Sequence, residues 1–316
     1  MRKQEIKYSP IIETIKKTDN LVFKYLSETF KFDEFPEDRH ECLEYVKSLM
    51  RGCQNCALAE TRNSVVMPDG TINAKIMVIG EGPGSMEDAA ALPFVGPNEL
   101  KASHCNTCKQ LPNCYSHKIL LAPDGWNKKN KPIVCKPNYD NKLQLPQTFY
   151  LRSAGAIVDG ILYKTFGSTY PRQNWIDFHN RTKDVKIPYD SIWYVTNTVA
   201  CRSYNTLTNR DESPSNLFMS KCKPWFVLQW AIVQPTIIIC FGKPALELIC
   251  GGKNKAAEVE YGDIFESKYG PAIAQPHPAS IMREKQKEAQ ALSYAKISES
   301  FKKAVKFVED TYKLNG

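Results

Sequence analysis

Ala74-Lys75-Ile76-Met77-Val78-Ile79-Gly80-Glu81-Gly82-Pro83-Gly84 is the stretch whose reading decides the fold. A short apolar run closes on glycine, the pattern of a strand buried on both faces that feeds a tight turn. Two further runs have the same character: Ile192-Trp193-Tyr194-Val195-Thr196-Asn197 and Thr236-Ile237-Ile238-Ile239-Cys240-Phe241-Gly242. Helical patterns lie between them at 153–166 and 217–233, and Pro244–Ile249 follows the third run. Strands alternating with helices predict an α/β fold, a three-layer α/β/α sandwich with a mostly parallel central sheet. Ligands of such sheets bind outside the carboxyl ends of the strands. Gly80-Glu81, Asn197 and Gly242 fall at those ends.

Outward from this centre, apolar residues at helical spacing (Ile12, Ile15, Leu21, Phe23, Tyr25, Leu26, Phe30) predict one or two amphipathic helices over 9–31. Residues 32–38, with Pro36 and acidic side chains, read as a linker, and a helix over Arg39–Met50 leads into Cys53. A last helix, from Lys285 to Leu314, presents Ile297, Phe301, Ala304, Val305, Val308 and Tyr312 on one face for packing. Residues 97–152 break the α/β rhythm with four cysteines, two histidines and many lysines. The predicted organisation is an N-terminal helical extension (1–38), an α/β domain (39–96 and 153–285), an irregular, basic Cys/His-rich insert (97–152) and a C-terminal helix (286–316).

The 316 residues are 42% hydrophobic and 24% charged, which excludes collagen-like, low-complexity and disordered classes. No apolar run reaches the roughly 18–20 residues of a membrane span. The opening residues lead into no apolar stretch of signal-peptide type. A cytoplasmic, reducing location is therefore the expectation, with the eleven cysteines read as metal ligands or packing rather than disulfides. Lys+Arg number 42 against 34 Asp+Glu, a net charge of +8. Residues 97–152 hold nine Lys+Arg against three Asp+Glu, a local +6 that permits a polyanionic partner.

The glycine turn Gly80–Gly84, continued by Ser85-Met86-Glu87-Asp88, follows a strand and precedes a helix. Glycines let backbone approach a ligand, and helix-start amides suit an anion. Alone, the turn reads equally well as structural, for it has neither the full G-x-G-x-x-G pattern nor the lysine of a P-loop. Pro93-Phe94-Val95-Gly96 adds an aromatic ring near the same strand end. His277-Pro278-Ala279-Ser280-Ile281-Met282-Arg283 follows an irregular Gly-Pro stretch. With Asn197 these supply what a pocket for an extruded nucleobase needs: a ring to stack on, an amide to read a Watson–Crick edge, and a histidine to support a leaving base.

Taken with Cys53-Gln54-Asn55-Cys56-Ala57-Leu58, Ser153-Ala154-Gly155-Ala156-Ile157-Val158-Asp159, Cys201-Arg202 and Cys222-Lys223-Pro224, in this order along 50–100 and 150–285, the chain resembles the family 4, iron–sulfur type, uracil-DNA glycosylases. The resemblance implies that Phe94 stacks on the base, with Gly82 at the base-binding side. Asn197 would hydrogen-bond uracil O4 and N3–H. His277 would donate toward O2 as negative charge develops there, a contact worth about 3–4 kcal/mol. Glu81 would lie at the sugar side. Ser280, Ile281, Met282 and Arg283 would meet DNA, Ile281 and Met282 as an apolar wedge and Arg283 on a phosphate. Cys53, Cys56, Cys201 and Cys222 match the family's [4Fe–4S] ligands, although thiolate quartets hold zinc as well and spacing does not separate the two. The chain departs from the family in the long gap between Cys201 and Cys222, in Ser203 where a proline is usual, and in Ala91 where a glycine is usual.

In the insert, Cys105, Cys108 and Cys114 with Cys135, or with His117 as the alternative ligand, would complete a structural Zn²⁺ site. The other reading of the segment is a basic loop with free thiols. Lys118, Lys128, Lys129, Lys131 and Lys136 are its candidate phosphate contacts. Cys240 and Cys250 read as small buried hydrophobes. Cys42, His40 and His179 carry no motif.

The function implied is a DNA-repair hydrolase that excises uracil by base flipping and cleavage of the N-glycosidic bond, leaving an abasic site. Its partner would be DNA, single or double stranded, with protein contacts through the insert or the terminal helices and no membrane. Two alternatives stay open: a catalytically inactive, glycosylase-like subunit of a replication or repair complex, and a glycosylase for a modified pyrimidine.

Overall fold

The computed structural model describes residues 9–91, 93–94, 154–155, 157–158 and 193–315. The strands, in chain order, are β1 (Asp69–Gly70), β2 (Ile76–Gly80), β3 (Trp193–Asn197), β4 (Tyr204–Asn205), β5 (Arg210–Asp211), β6 (Ile237–Phe241), β7 (Ile264–Ser267) and β8 (Gly270–Gln275). The helices are α1 (Pro10–Thr18), α2 (Asn20–Thr29), α3 (Arg39–Arg51), α4 (Leu58–Thr61), α5 (Ser85–Ala90), α6 (Asn216–Val233), α7 (Gly242–Cys250), α8 (Lys253–Ala256), α9 (Ala279–Arg283) and α10 (Lys287–Asn315). Six strands form one sheet in the order β1-β3-β2-β6-β8-β7, while β4 and β5 pair separately. β3, β2, β6 and β8 are parallel, and β1 and β7 run antiparallel at the edges. This is the expected α/β sandwich with a largely parallel sheet. Among the described residues no helix is long and apolar enough to cross a membrane.

The period of two along each strand divides the side chains between two cores. Met77, Ile79, Tyr194, Ile238, Cys240 and Ala272 face one side, against α1, α2, α3 and α6. Ile76, Val78, Trp193, Val195, Ile237, Ile239, Phe241 and Ile273 face the other, against Ile157, Val158 and the α10 residues Ile297, Phe301, Ala304 and Val308. Each fully buried aliphatic side chain contributes roughly 1.5–3 kcal/mol. Because both faces are covered, the strands read as unbroken apolar runs.

The stretch before His277, expected to be irregular, is instead strand β8. Gly270, Pro271 and two alanines carry little strand propensity. Pairing with β6 on one side and β7 on the other decides the outcome. Residues 32–38 are likewise not a free linker. Phe35 is buried and packs edge-on against Phe30, Phe32 and Tyr45.

The N-terminal helices are locked to the sheet's first layer. Ser9 caps α1 through the Ile12 N–H, and Pro10 occupies its first turn. Asp19 ends that helix and caps the next, accepting from the Val22 N–H. The same carboxylate is buried among Lys223 of α6 at 2.7 Å, Lys268 of the β7–β8 turn, and the Tyr269 hydroxyl at 2.9 Å. Burial alone would raise its pKa. The hydrogen bonds from Lys223 and Lys268 outweigh that and bring it down to about 2. Arg39 ties α3 to the far end of α6 by donating to the carbonyls of Ile232, Val233 and Ile72 at 2.7–2.9 Å.

A depressed carboxyl pKa contributes stability that is present above its unfolded value near 4 and is lost as pH falls toward 2. Asp19→Asn is therefore expected to lower stability by about 2 kcal/mol at pH 7. The gap between variant and wild type should close as urea unfolding is repeated from pH 5 down to pH 2. A gap that stays constant with pH would show that the ion cluster contributes nothing.

Candidate active site at the strand ends

The order of the sheet places a crevice at its centre. The chain leaves β2, returns as β3 on one side, then crosses β2 to run β6 on the other, so connections diverge from the end of β2. Such a divergence leaves room for a ligand above the strand ends. The end residues are level: Gly80 pairs with Asn197, and Phe241 pairs with Gln275, two residues before His277.

Gly80 sets the clearance. A Cβ there would stand 2.2 Å from Asn197 Oδ1 and 2.7–2.8 Å from the Phe94 ring edge. The carboxamide and the ring therefore converge on the same backbone atom. Gly242 does the same one strand over. Its φ is +83°, and a Cβ would stand 3.2 Å from His277 Cβ and 3.5 Å from Glu81 Oε2. The imidazole and the Glu81 carboxylate thus face each other across this glycine.

Each group is held from behind. Phe94 is buried against Phe241 at 5.9 Å between centroids, in a left-handed conformation with φ +53°. Its N–H donates to one oxygen of Glu87, whose other oxygen accepts from the Gly84 N–H at 2.7 Å. One carboxylate thereby fixes both the glycine turn and the ring. Asp88 beside it is fully buried and accepts from Asn63 and Ser64 at 2.8–3.2 Å, anchoring α5. The Thr198 hydroxyl donates to the Glu81 carbonyl, and its N–H to the Gly80 carbonyl at 2.9 Å, so the β2 and β3 ends move as one.

The two polar heads remain available. Asn197 is 9% exposed, and its Nδ2 is buried with no hydrogen-bond partner. The Ala279 N–H donates to His277 Nδ1 at 3.3 Å, which leaves the proton on Nε2 and makes that atom a donor. Burial pushes the His277 pKa below its ordinary value; Glu81 works against this and Arg283 adds to it. The imidazole is neutral at pH 7.

Glu81, Phe94, Asn197 and His277 are thus brought together, with Gly82 packed under Val199 and Pro214 in the same turn. Ser280 is half-buried and Arg283 exposed on α9. Ile281, expected as an outward wedge, is instead 1% exposed and belongs to the core that holds Phe94. The side chain of Met282, Val95 and Gly96 lie outside the described residues. Sequence reasoning put Gly242 at a strand end and Glu87 in the turn motif without giving either a role, and missed Thr198. Only Glu87 left a signal, an acid three residues after the glycine that precedes a helix.

The expected iron–sulfur site does not stand. Among the described residues no group of three or more His, Cys, Asp or Glu side chains could hold a metal ion. Cys53, Cys56, Cys201 and Cys222 are free. Burial raises the Cys201 thiol and pushes Cys222 up to about 12, with like-charge interactions among the four adding to it. Arg62 instead joins these segments, donating to Cys201 Sγ at 3.2 Å and to the Cys53 carbonyl at 2.6 Å. The [4Fe–4S] assignment, and the iron–sulfur label it gave the resemblance, are corrected accordingly. The zinc reading rested on Cys105, Cys108, Cys114, Cys135 and His117, which lie outside the described residues, as do the insert lysines and His179.

The family model of the uracil DNA glycosylase superfamily matches residues 67–308. A type-4 uracil-DNA glycosylase of Thermotoga maritima is 22% identical over 272 residues, which is 86% of this chain and 97% of that protein. One of Archaeoglobus fulgidus is 24% identical over 271 residues, 82% of this chain and 93% of that protein. A third, of Saccharolobus solfataricus, reaches 43% identity over 54 residues, 17% of this chain and 25% of that protein. The model spans well over half of the chain and takes in all four converging side chains. The chain belongs to the uracil DNA glycosylase superfamily.

Proposed function

We propose that this protein excises uracil from DNA by base flipping and hydrolysis of the N-glycosidic bond. The superfamily supports a DNA-glycosylase-type activity in general, and relatives named type-4 uracil-DNA glycosylases support the substrate. One observation carries the reading: a buried carboxamide with an unpartnered N–H, at a strand end, beside an aromatic ring. A buried donor left without a partner costs about 1–3 kcal/mol, a cost that a ligand accepting that hydrogen bond removes.

The chemistry follows from the donor pattern. The extruded pyrimidine stacks on Phe94. Asn197 donates through Nδ2 to uracil O4 and accepts the N3–H at Oδ1. Cytosine reverses that pattern and would leave both Asn197 groups opposed. The C1′–N1 bond breaks with its electron pair passing into the base, and negative charge builds on O2. His277, neutral with its proton on Nε2, donates to O2 without giving the proton away. The Glu81 carboxylate faces the cationic sugar. Water adds at C1′, and the proton it gives up balances the one taken up by the departing uracil anion, leaving an abasic site and free uracil.

Asn197→Ala is expected to lower kcat/KM for uracil excision at least about 100-fold. Its melting temperature should be no lower than that of the wild type, because the variant removes an orphaned donor. A variant that loses activity and stability together would mark Asn197 as a packing residue. Gly80→Ala should also cost about 100-fold, since a displacement near 1 Å in the reacting groups has that effect. An active Gly80→Ala enzyme would mean that Phe94 and Asn197 do not act as a pair.

The pH profile is a third test. His277 must be neutral, and its pKa is lowered, so kcat/KM should stay level through neutrality and fall only below pH 6.5. Glu81 favours the charged imidazole. Glu81→Gln should therefore move the acid limb to still lower pH while reducing the rate. An acid limb above 6.5, or one that moves upward in the variant, would remove His277 from its role. Absence of excision by the wild type on every uracil-containing strand would favour the inactive-subunit alternative.

A further inference from the structure

The segment after Asn197 builds a feature that the catalytic reading leaves unused. β4 and β5 form a short hairpin whose tip residue, Leu207, is 94% exposed. Its neighbours Thr206, Thr208, Asn209 and Arg210 are exposed and polar. A leucine so bare on a mobile loop would be unremarked, but this loop is braced on every side. Asn205 Oδ1 accepts from the N–H groups of Leu207 at 2.9 Å and Thr208 at 3.1 Å, and Asn205 Nδ2 donates to Glu212 at 2.7 Å. The Tyr204 hydroxyl donates to Asn209. Arg202 pairs with Asp211 at 2.5 Å and lies over the Tyr204 ring at 4.4 Å. The tip is held before anything binds, so docking it incurs little loss of loop entropy.

The legs of the hairpin fix where it stands. Val199, just before it, is fully buried with its Cγ2 2.9 Å from where a Cβ of Gly82 would lie. Pro214, just after it, is buried and 3.9 Å from the same point. Both legs therefore close on the glycine turn next to Glu81, and the hairpin rises from the wall of the site. On α9, Ile281 is turned into the core and offers no apolar tip.

We infer that Leu207 is an apolar wedge that enters the base stack of duplex DNA and fills the gap left by an extruded nucleotide. This rests on the base-flipping reading above and adds to it the element that holds the helix open. Removing a base from a duplex leaves an apolar gap between neighbouring pairs, and side chains of this type fill such gaps in bent or unstacked DNA. The polar residues around Leu207 are placed to meet the sugar–phosphate backbone on either side. Single strands have no stack to hold open, so the wedge serves duplex substrate in particular.

The test compares Leu207→Ala with wild type, and uses Leu21→Ala, a 77% exposed leucine on α2, as the control. The ratio of duplex to single-strand kcat/KM should fall about tenfold in Leu207→Ala, the loss expected when one leucine's burial is forgone. Leu207→Phe should recover most of it, and Leu21→Ala should match wild type. A second readout needs no excision: binding to a duplex that carries a stable abasic analogue beside a fluorescent purine. Wild type should change the fluorescence of that purine and Leu207→Ala should not. If wild type excises nothing but the abasic readout still depends on Leu207, the wedge holds and the glycosylase reading fails. If wild type excises uracil and both readouts are indifferent to Leu207, the wedge is overturned and the glycosylase reading stands. Loss on duplex and single strand alike also overturns it, as does failure of wild type to alter the abasic duplex.

Discussion

The site depends on the absence of a side chain at residue 80. β2 is the central strand, flanked on both sides by parallel neighbours, and its last residue is where the crevice opens. Asn197 and Phe94 approach from opposite elements to within a distance that no Cβ would tolerate. Sequence, sheet order and chemistry meet in that clearance. The apolar run dictates a buried strand, the buried strand dictates an end level with β3, and glycine allows the ring and the carboxamide to close over it. Gly242 repeats the device for His277 and Glu81. Two glycines at the ends of adjacent strands thus position four side chains.

Much of this was legible in the residues because the strands are buried on both faces. Ile76–Gly80, Trp193–Asn197 and Ile237–Phe241 each form an apolar run bounded by a turn residue, and all three were found within one or two residues of their ends. The α10 face was equally plain, since Ile297, Phe301, Ala304 and Val308 recur at helical spacing and all are buried. β8 escaped because glycine, proline and alanine carry no strand signal, and only its two partners make it a strand. The break of the N-terminal helices at Asp19 was not visible either. Asp19, which caps both helices there, is held by Lys223 and Lys268, more than 200 residues away. The roles at the site came from motifs in a family's order, whereas the supports, Glu87 and Thr198, act through backbone hydrogen bonds that no side-chain pattern records.

The cysteines show the limit of reading by residue type. Cys53-x2-Cys56 with Cys201 and Cys222 has the look of a ligand set, and spacing alone gave no reason to refuse it. Among the described residues these side chains make no group that could hold a metal ion. What links the segment before β2 to the segment after β3 is instead the Arg62 guanidinium, which spans a sulfur on one and a carbonyl on the other. The segment Arg62–Ser64 thus holds both the loop after β3, by Arg62 through Cys201, and α5, by Asn63 and Ser64 through Asp88.

Phe94 and Asn197, which converge on Gly80, each break a local preference. Ala91 and Phe94 are held at φ +56° and +53°, a conformation costing side-chain-bearing residues roughly 1–2 kcal/mol each. Asn197 keeps a buried N–H without a partner in the same place. Asn209 and Gln234 are also left-handed, and Thr61, Trp225 and Gln275 also keep buried polar atoms without a partner, so such costs are not confined to the site. What sets Phe94 and Asn197 apart is that both approach the same backbone atom, where one ligand can offset both costs. On the proposed reading, a pyrimidine presenting an acceptor to Asn197 and a flat face to Phe94 is that ligand. It would satisfy the orphaned donor and give the strained Phe94 backbone its use. The stability withheld in the free protein would then be recovered as binding energy, spent at the bond to be broken.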